Sequence, residues 1–227
     1  MTAATARPLA VVLVSGGMDS CVTTAIAAET HELALLHLTY GQRTEARERQ
    51  AFEAIARHYG VSRTLVSGMD HLKAIGGSAL TDASRDAIDA RRAGSEIPDT
   101  YVPFRNTHLL SLAASWGEVL RARSLFIGAV EEDGSGYPDC RAAYFEAFNR
   151  LLRLGTRPET DLTVRTPILH LRKADIVREG IRRKAPLHLT WSCYTESSLA
   201  CGACESCRLR LKGFAEAGVA DPIAYRA

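Results

Sequence analysis

The chain has 227 residues, 46% of them hydrophobic and 24% charged, which suffices for one sizeable core with a modest appendage but not for two large domains. A formal net charge of only +2, with a pI near 8.2, argues against a surface organised around nucleic acid and favours small-molecule substrates. Residues 1–8 lack a cationic region leading into a long apolar stretch, and no later segment reaches ~18 uninterrupted apolar residues. A cytoplasmic protein without membrane contact is expected.

In chain order, apolar runs at 9–14, 33–38, 63–66 and 125–130 alternate with helical patterns at 20–29, 44–59 and 107–121. Strands rich in Val, Leu and Ile on both faces, joined by crossover helices, predict a doubly wound α/β fold with a mostly parallel sheet. Thr44 is placed to cap the second helix and Gly60 to end it. Between the first strand and helix stands Ser15-Gly16-Gly17-Met18-Asp19-Ser20. Short side chains and two glycines let backbone approach a polyphosphate, while first-turn amides and the positive helix end supply donors and field. The bland alternative is a tight turn with a serine cap. The segment lacks the Gly-Lys-Ser/Thr ending of a Walker loop and resembles the SGGxDS loop of the ATP pyrophosphatase superfamily. That resemblance implies ATP, adenylation of a substrate oxygen, release of pyrophosphate and an adenine nucleotide alpha hydrolase-like fold.

From Gly76 to Thr100 the pattern gives way to polar and small residues, including Arg85, Asp86, Asp89, Arg91 and Arg92. A loop-rich lid and a solvated helix of mixed charge both fit. After Pro167 the chain turns basic, with Arg172, Lys173, Arg178, Arg182, Arg183 and Lys184 against Asp175 and Glu179, as on a wet helix face. Cys193, Cys201, Cys204 and Cys207 form a C-x7-C-x2-C-x2-C array. Four thiolates close a tetrahedral zinc shell, leaving no position for a nucleophilic water, so a structural Zn2+ site is expected; an iron–sulfur cluster is the rival, though the ferredoxin spacing is lacking. Of the remaining cysteines, Cys21 reads as helix packing, and Cys140 stays open between packing and function. His37, His108, His170 and His188 show no catalytic spacing.

Four further segments stand out: Tyr40-Gly41-Gln42-Arg43, Tyr101-Val102-Pro103-Phe104-Arg105-Asn106, Asp133-Gly134-Ser135-Gly136-Tyr137-Pro138-Asp139-Cys140-Arg141 and Thr190-Trp191-Ser192-Cys193-Tyr194. With the phosphate loop and the cysteine array, they closely resemble the 7-cyano-7-deazaguanine synthase family from about Leu9 to Tyr225. The resemblance implies that ATP activates the carboxylate of 7-carboxy-7-deazaguanine, ammonia displaces the adenylate to give an amide, and a second activation yields the nitrile. It assigns Ser15, Gly16, Gly17, Met18, Asp19 and Ser20 to ATP, with Asp19 helping to hold Mg2+ or a positioned hydroxyl, since a carboxylate repels phosphate.

Under the same resemblance, Arg105 suits a carboxylate or phosphate, with Asn106 beside it; an Asn cap with an outward Arg is the alternative. Asp133 and Asp139 could accept hydrogen bonds from a guanine-like base and Tyr137 could stack on it, with Ser135, Gly136 and Arg141 in the same loop. An ordinary polar loop in which Asp139 caps a helix competes with that reading. Gln42 and Arg43 are weaker candidates, and Trp191 is expected as a core anchor beside zinc. The chain departs from the family at Phe104, often small there, and at Gly134, often aromatic, which raises a reciprocal exchange of pocket volume. Residues 1–188 are expected to form the nucleotide domain and 189–227 the zinc-binding region packed on it, in a homodimer. The rivals are a tRNA-modifying relative, which would need a nucleophilic cysteine or basic extension, and a zinc-containing interaction module on a dead nucleotide fold, which would not need an intact phosphate loop.

Overall fold

A computed structural model describes residues 6–82, 84, 97–131 and 136–226. Five parallel strands, β1 (Leu9–Leu13), β2 (Glu32–Thr39), β3 (Thr64–Gly68), β4 (Ser124–Phe126) and β5 (Thr163–Arg165), form one sheet in the order β3-β2-β1-β4-β5. Helices α1 (Met18–Ala28), α2 (Glu45–His58), α3 (Asp70–Ile75), α4 (Arg105–Leu120), α5 (Ala142–Gly155), α6 (Lys173–Arg182) and α7 (Glu205–Ala217) complete the chain order. The expected strands and helices are present within a few residues; α3, α5, α7 and β5 had not been anticipated.

Alternation along β1 explains the layering. Val11 and Leu13 point into a core shared with Leu110 and Ala113 of α4 and Phe145 and Phe148 of α5. Ala10 and Val12 point the other way, into a core with Cys21 of α1 and Phe52 and Ile55 of α2. A sheet covered on both faces needs apolar side chains at successive positions, which is why the strands read as continuous runs. Cys21 is fully buried here, in keeping with its expected packing role.

Local chemistry sets the helix ends. Tyr59 closes α2 and Gly60 follows at φ +63°, the left-handed conformation glycine adopts at low cost. Thr44 precedes α2, but its hydroxyl donates to Glu48 Oε1 at 2.8 Å and is 3.2 Å from the Cys193 carbonyl; it does not cap a helix amide. The basic stretch after Pro167 does form a helix, α6, with Arg178 and Arg182 pairing with Asp175 and Glu179 on its outer face. Its inner face, Ile176 and Val177, packs with Val22 of α1 and Phe214 of α7.

In the expected lid, Ala79 N–H donates to the Asp99 carbonyl at 2.8 Å, closing the described ends of the segment, and Leu80 and Thr100 are buried. Arg85, Asp86, Asp89, Arg91 and Arg92 lie outside the described residues, as do Asp133, Gly134 and Ser135.

Candidate active site

The strand order reverses at β1, since β2 and β3 lie to one side and β4 and β5 to the other. Open parallel sheets bind ligands at the carboxyl ends of strands flanking such a reversal. The glycine loop 15–17 occupies that position. Gly16 has φ +89°, and a Cβ added there would stand 2.5 Å from the Glu48 carbonyl of α2. On the opposite side, a Cβ on Gly128, just past β4, would stand 2.9 Å from the backbone of Asp19. The phosphate loop is therefore gripped by backbone from two neighbours, and only glycine fits at either contact.

Within the loop, Gly17 N–H donates to Ser15 Oγ at 3.2 Å, and Ser20 Oγ donates to the Gly17 carbonyl at 2.9 Å. The first helical bond is Cys21 N–H to the Gly17 carbonyl at 3.1 Å, so the preceding first-turn amides have no acceptor within the helix. Lys173 Nζ, from the start of α6, lies 2.7 Å from Asp19 Oδ2, while Asp19 Oδ1 is buried without a hydrogen-bond partner. Amides, a lysine and a helix dipole converge on one spot, as binding of a polyphosphate requires.

This loop forms one wall of a cavity of ≈ 320 Å³. Tyr40, Glu48, Arg105, Tyr137, Tyr194 and Ser192 also line it, as do Lys173 and Trp191, which contact the loop through Asp19 and Gly16. Arg105 Nη1 donates to Tyr40 Oη at 3.0 Å, and its guanidinium lies 5.5 Å from the Tyr40 ring centre. Tyr137 Oη and Thr100 Oγ1 are 2.7 Å apart. Burial raises the pKa of Tyr40 and of Tyr137, so both phenols remain neutral at physiological pH.

Arg105, Asn106 and Tyr137 thus come together at the cavity with five members of the phosphate loop. Asp139 is buried and committed to α4: its Oδ2 accepts from Asn106 N–H at 2.9 Å, and its carbonyl accepts from Asn106 Nδ2 at 2.8 Å. This is the helix-capping alternative, made across two segments. Arg141 is exposed at the start of α5 and, like Gly136, is not among the cavity's lining residues. Gln42 and Arg43 do line it: Gln42 Oε1 accepts from Tyr40 N–H at 2.8 Å, and Arg43 Nη2 donates to the Asp82 carbonyl at 2.9 Å. Phe104 is 57% exposed, with φ +58° directly before α4, and does not line the cavity. His37 is fully buried, stacked on Phe52 and bonded through Nδ1 to the Val14 carbonyl at 2.8 Å, a packing role.

The four array cysteines bring their sulfurs within 4.8 Å of one another, a cluster that could hold a metal ion. Cys193 Sγ accepts from the amides of Glu196 and Cys201, both at 3.4 Å, and Cys201 Sγ accepts from those of Ala203 and Cys204 at 3.4 and 3.2 Å. Backbone donors aimed at sulfur favour thiolate, the form that binds metal. Trp191 packs in the same cluster, as expected of an anchor; its backbone N–H donates to the Gly16 carbonyl at 2.8 Å and its indole N–H to the Glu196 carbonyl at 3.0 Å. The cysteine region therefore braces the phosphate loop directly. Arg210 of α7 reinforces it: 1% exposed, it contacts both Asp221 carboxylate oxygens at 2.7 and 2.9 Å and Thr190 Oγ1 at 2.7 Å.

Sequence reasoning missed Lys173, Arg210 and Glu48. The first was hidden in a run of surface cations and the second in a helix that had not been anticipated. Glu48 has only its proximity to the flagged segment 40–43 as a signal.

A family model described as "Queuosine biosynthesis protein QueC" matches residues 9–218. A 7-cyano-7-deazaguanine synthase from Chlorobium phaeobacteroides is 54% identical over 217 residues, covering 95% of this chain and 96% of the relative. One from Chloroherpeton thalassium is 52% identical over 218 residues, covering 96% of each chain. Another, from Acidobacterium capsulatum, is 54% identical over 223 residues, covering 96% of this chain and 97% of the relative.

Proposed function

The chain belongs to the queuosine biosynthesis protein QueC family, and on that premise we propose that it converts 7-carboxy-7-deazaguanine and ammonia to 7-cyano-7-deazaguanine with two rounds of ATP-dependent activation. The observation that carries this reading is the single cavity shared by the phosphate loop and a wall of Arg105, Tyr40 and Tyr137. On this reading the triphosphate takes the loop end and the acidic heterocycle the Arg105 end, which brings the carboxylate to the α-phosphate.

The chemistry requires such an arrangement. Ammonia does not displace oxide from a carboxylate; conversion to an acyl-adenylate supplies a leaving group, and the protein's work is to position and neutralise. Lys173 and the amides of residues 18–20 bind and offset phosphate charge. Arg105 suits the substrate carboxylate, and Tyr137 offers a ring face to the base. Mg2+ fits as companion to the triphosphate, with Asp19 Oδ1, buried and without a partner, as the oxygen this chain would contribute. Zn2+ suits the four-thiolate set, and a closed shell would give it a structural role, holding residues 189–227 against the nucleotide domain formed by residues 1–188. The remaining proposed residues, Asp133, Ser135, Gly136, Asp139 and Arg141, belong to the base-binding loop, with Asp139 fixing its junction with α4.

Sulfur transfer to tRNA is disfavoured by the spare thiols. Burial pushes Cys21 up to about 12 and Cys140 up to about 11, leaving neither as a thiolate at neutral pH. No helix among the described residues is long and apolar enough to cross a membrane; action on small molecules in the cytoplasm, as a homodimer, accords with the biosynthetic role. The test is incubation with Mg-ATP, ammonium and 7-carboxy-7-deazaguanine, followed by mass spectrometry. Amide and then nitrile are expected; absence of both would overturn the reading.

A further inference from the structure

Ammonium, the form of ammonia that predominates at neutral pH, has no lone pair with which to attack. An enzyme that uses it must strip a proton beside the activated carbonyl, in a site crowded with cations that bind phosphate. Among the described residues, three carboxylates line the cavity: Asp19, Glu48 and Glu205. Asp19 is already neutralised by Lys173 at 2.7 Å, and Glu205 stands in the first turn of α7, next to the cysteine cluster.

Glu48 is placed differently. Its own carbonyl is the atom that forbids a side chain at Gly16, so its position on α2 is locked to the phosphate loop. Both carboxylate oxygens are oriented by neutral donors, Thr44 Oγ1 to Oε1 at 2.8 Å and Gln42 Nε2 to Oε2 at 3.1 Å. Each oxygen keeps lone-pair capacity for a further donor. The charged side chains acting on it are Arg105, which favours its ionised form, and Glu45, which opposes it.

We propose that Glu48 binds ammonium in the cavity and takes its proton as the nitrogen attacks the acyl-adenylate. This inference rests on the proposed function. One N–H bond of ammonium breaks, its proton passing to the Glu48 carboxylate and its electron pair to nitrogen. That pair forms the C–N bond, the C–O bond to the adenylate breaks with its electrons on the phosphate oxygen, and the departing phosphate takes the surplus proton from nitrogen. No atom changes oxidation state. Burial raises the proton affinity of the Glu48 carboxylate, the direction a base for this transfer needs.

The test compares nucleophiles. In Glu48→Gln, the exchange of pyrophosphate into ATP that depends on the carboxylated base should persist within about threefold, while amide and nitrile formation from ammonium falls by about 100-fold, the usual scale of a lost general base. Hydroxylamine, largely unprotonated at neutral pH, needs no such base, and hydroxamate formation from it should stay within about threefold of wild type. Parallel loss of exchange would place Glu48 with the nucleotide, and equal loss with both nucleophiles would make it a positioning residue; either overturns the proposal, as does undiminished use of ammonium. Should Glu48→Gln fail to fold, Glu48→Asp withdraws the carboxylate by one methylene and should show the same bias against ammonium, with equal loss for both nucleophiles refuting it. Wild-type protein lacking the exchange itself would instead refute the proposed function.

Discussion

Replacing Asp221 with Ala tests whether a buried charge pair inside the cysteine region stabilises it and, through Arg210, the segment that braces the phosphate loop. Arg210 and Asp221 expose only 2% and 4% of their side chains, so water cannot re-solvate the guanidinium once its partner is gone. Asp221 also accepts from Tyr225 Oη at 2.7 Å and from Ile223 N–H at 3.2 Å, so those donors are orphaned as well. Breaking a buried pair from one side costs about 3–5 kcal/mol, because an uncompensated charge stays behind. For a domain of this size each kcal/mol moves Tm by about 2–4 °C, so Asp221→Ala should melt about 6–20 °C below wild type in a calorimetric scan. Arg210→Met with Asp221→Leu should recover most of that loss, since apolar replacement removes both charges together. The effect should reach the site: Arg210 also holds Thr190 and lies 3.3 Å from Ser192 Oγ, and the backbone N–H of the intervening Trp191 donates to the Gly16 carbonyl. The apparent KM for ATP should therefore rise in the single variant below its melting transition. A single variant melting within about 2 °C of wild type, under 1 kcal/mol, would refute the reasoning.

Phe104→Gly should raise stability by up to about 1 kcal/mol in urea denaturation, because a left-handed backbone conformation costs an L-residue about 1–2 kcal/mol and glycine's added chain entropy returns only part of the gain. With its ring outside the cavity, turnover should not change; a loss of activity in this variant would show that the ring reaches the substrate. Cys204→Ser, or treatment with a strong chelator, should lower Tm, and metal-free protein with an unchanged melt would rule out a structural metal. Burial pushes the Cys21 thiol up to about 12 in the folded state, against 9.0 for an ordinary thiol. The folded protein thus holds more protons across that window, and this contribution, complete below pH 9, is lost as pH rises toward 12. Cys21→Ala should flatten part of the alkaline decline in stability; an identical pH dependence would refute the assignment.

The sheet was legible because parallel strands buried on both faces must be continuously apolar, and residues 9–14 and 33–38 carry that signal without interruption. β5 escaped because three residues, Thr163–Arg165, include only one fully buried side chain. α5 does carry a periodic apolar face, Phe145, Phe148 and Leu152, whereas α7 buries Cys207, Arg210, Gly213 and Phe214, a face with too few apolar side chains to show a period. Thr44 shows the limit of local rules. It stands where an N-cap belongs, yet its hydroxyl serves Glu48 and approaches Cys193, a contact 149 residues distant in sequence that no local pattern encodes.

The same distinction separates the parts of the site. The glycine loop was legible because consecutive backbone amides, the feature that phosphate binding would use, lie within six adjacent residues. The cysteine array could be read because metal binding constrains spacing within one short stretch. Lys173 and Arg210 work through single side chains delivered by separate helices, and a lone cation in a basic run carries no mark of which one turns inward. Asp139 stands in a glycine-rich loop where an acid invites a ligand, and its Oδ2 also accepts from the Asn106 amide at the start of α4, a partner 33 residues away that no local pattern announces. That bond has a functional consequence. It fixes the first turn of the helix that carries Arg105, so the orientation of the guanidinium toward the cavity depends on a carboxylate that need not itself touch the substrate.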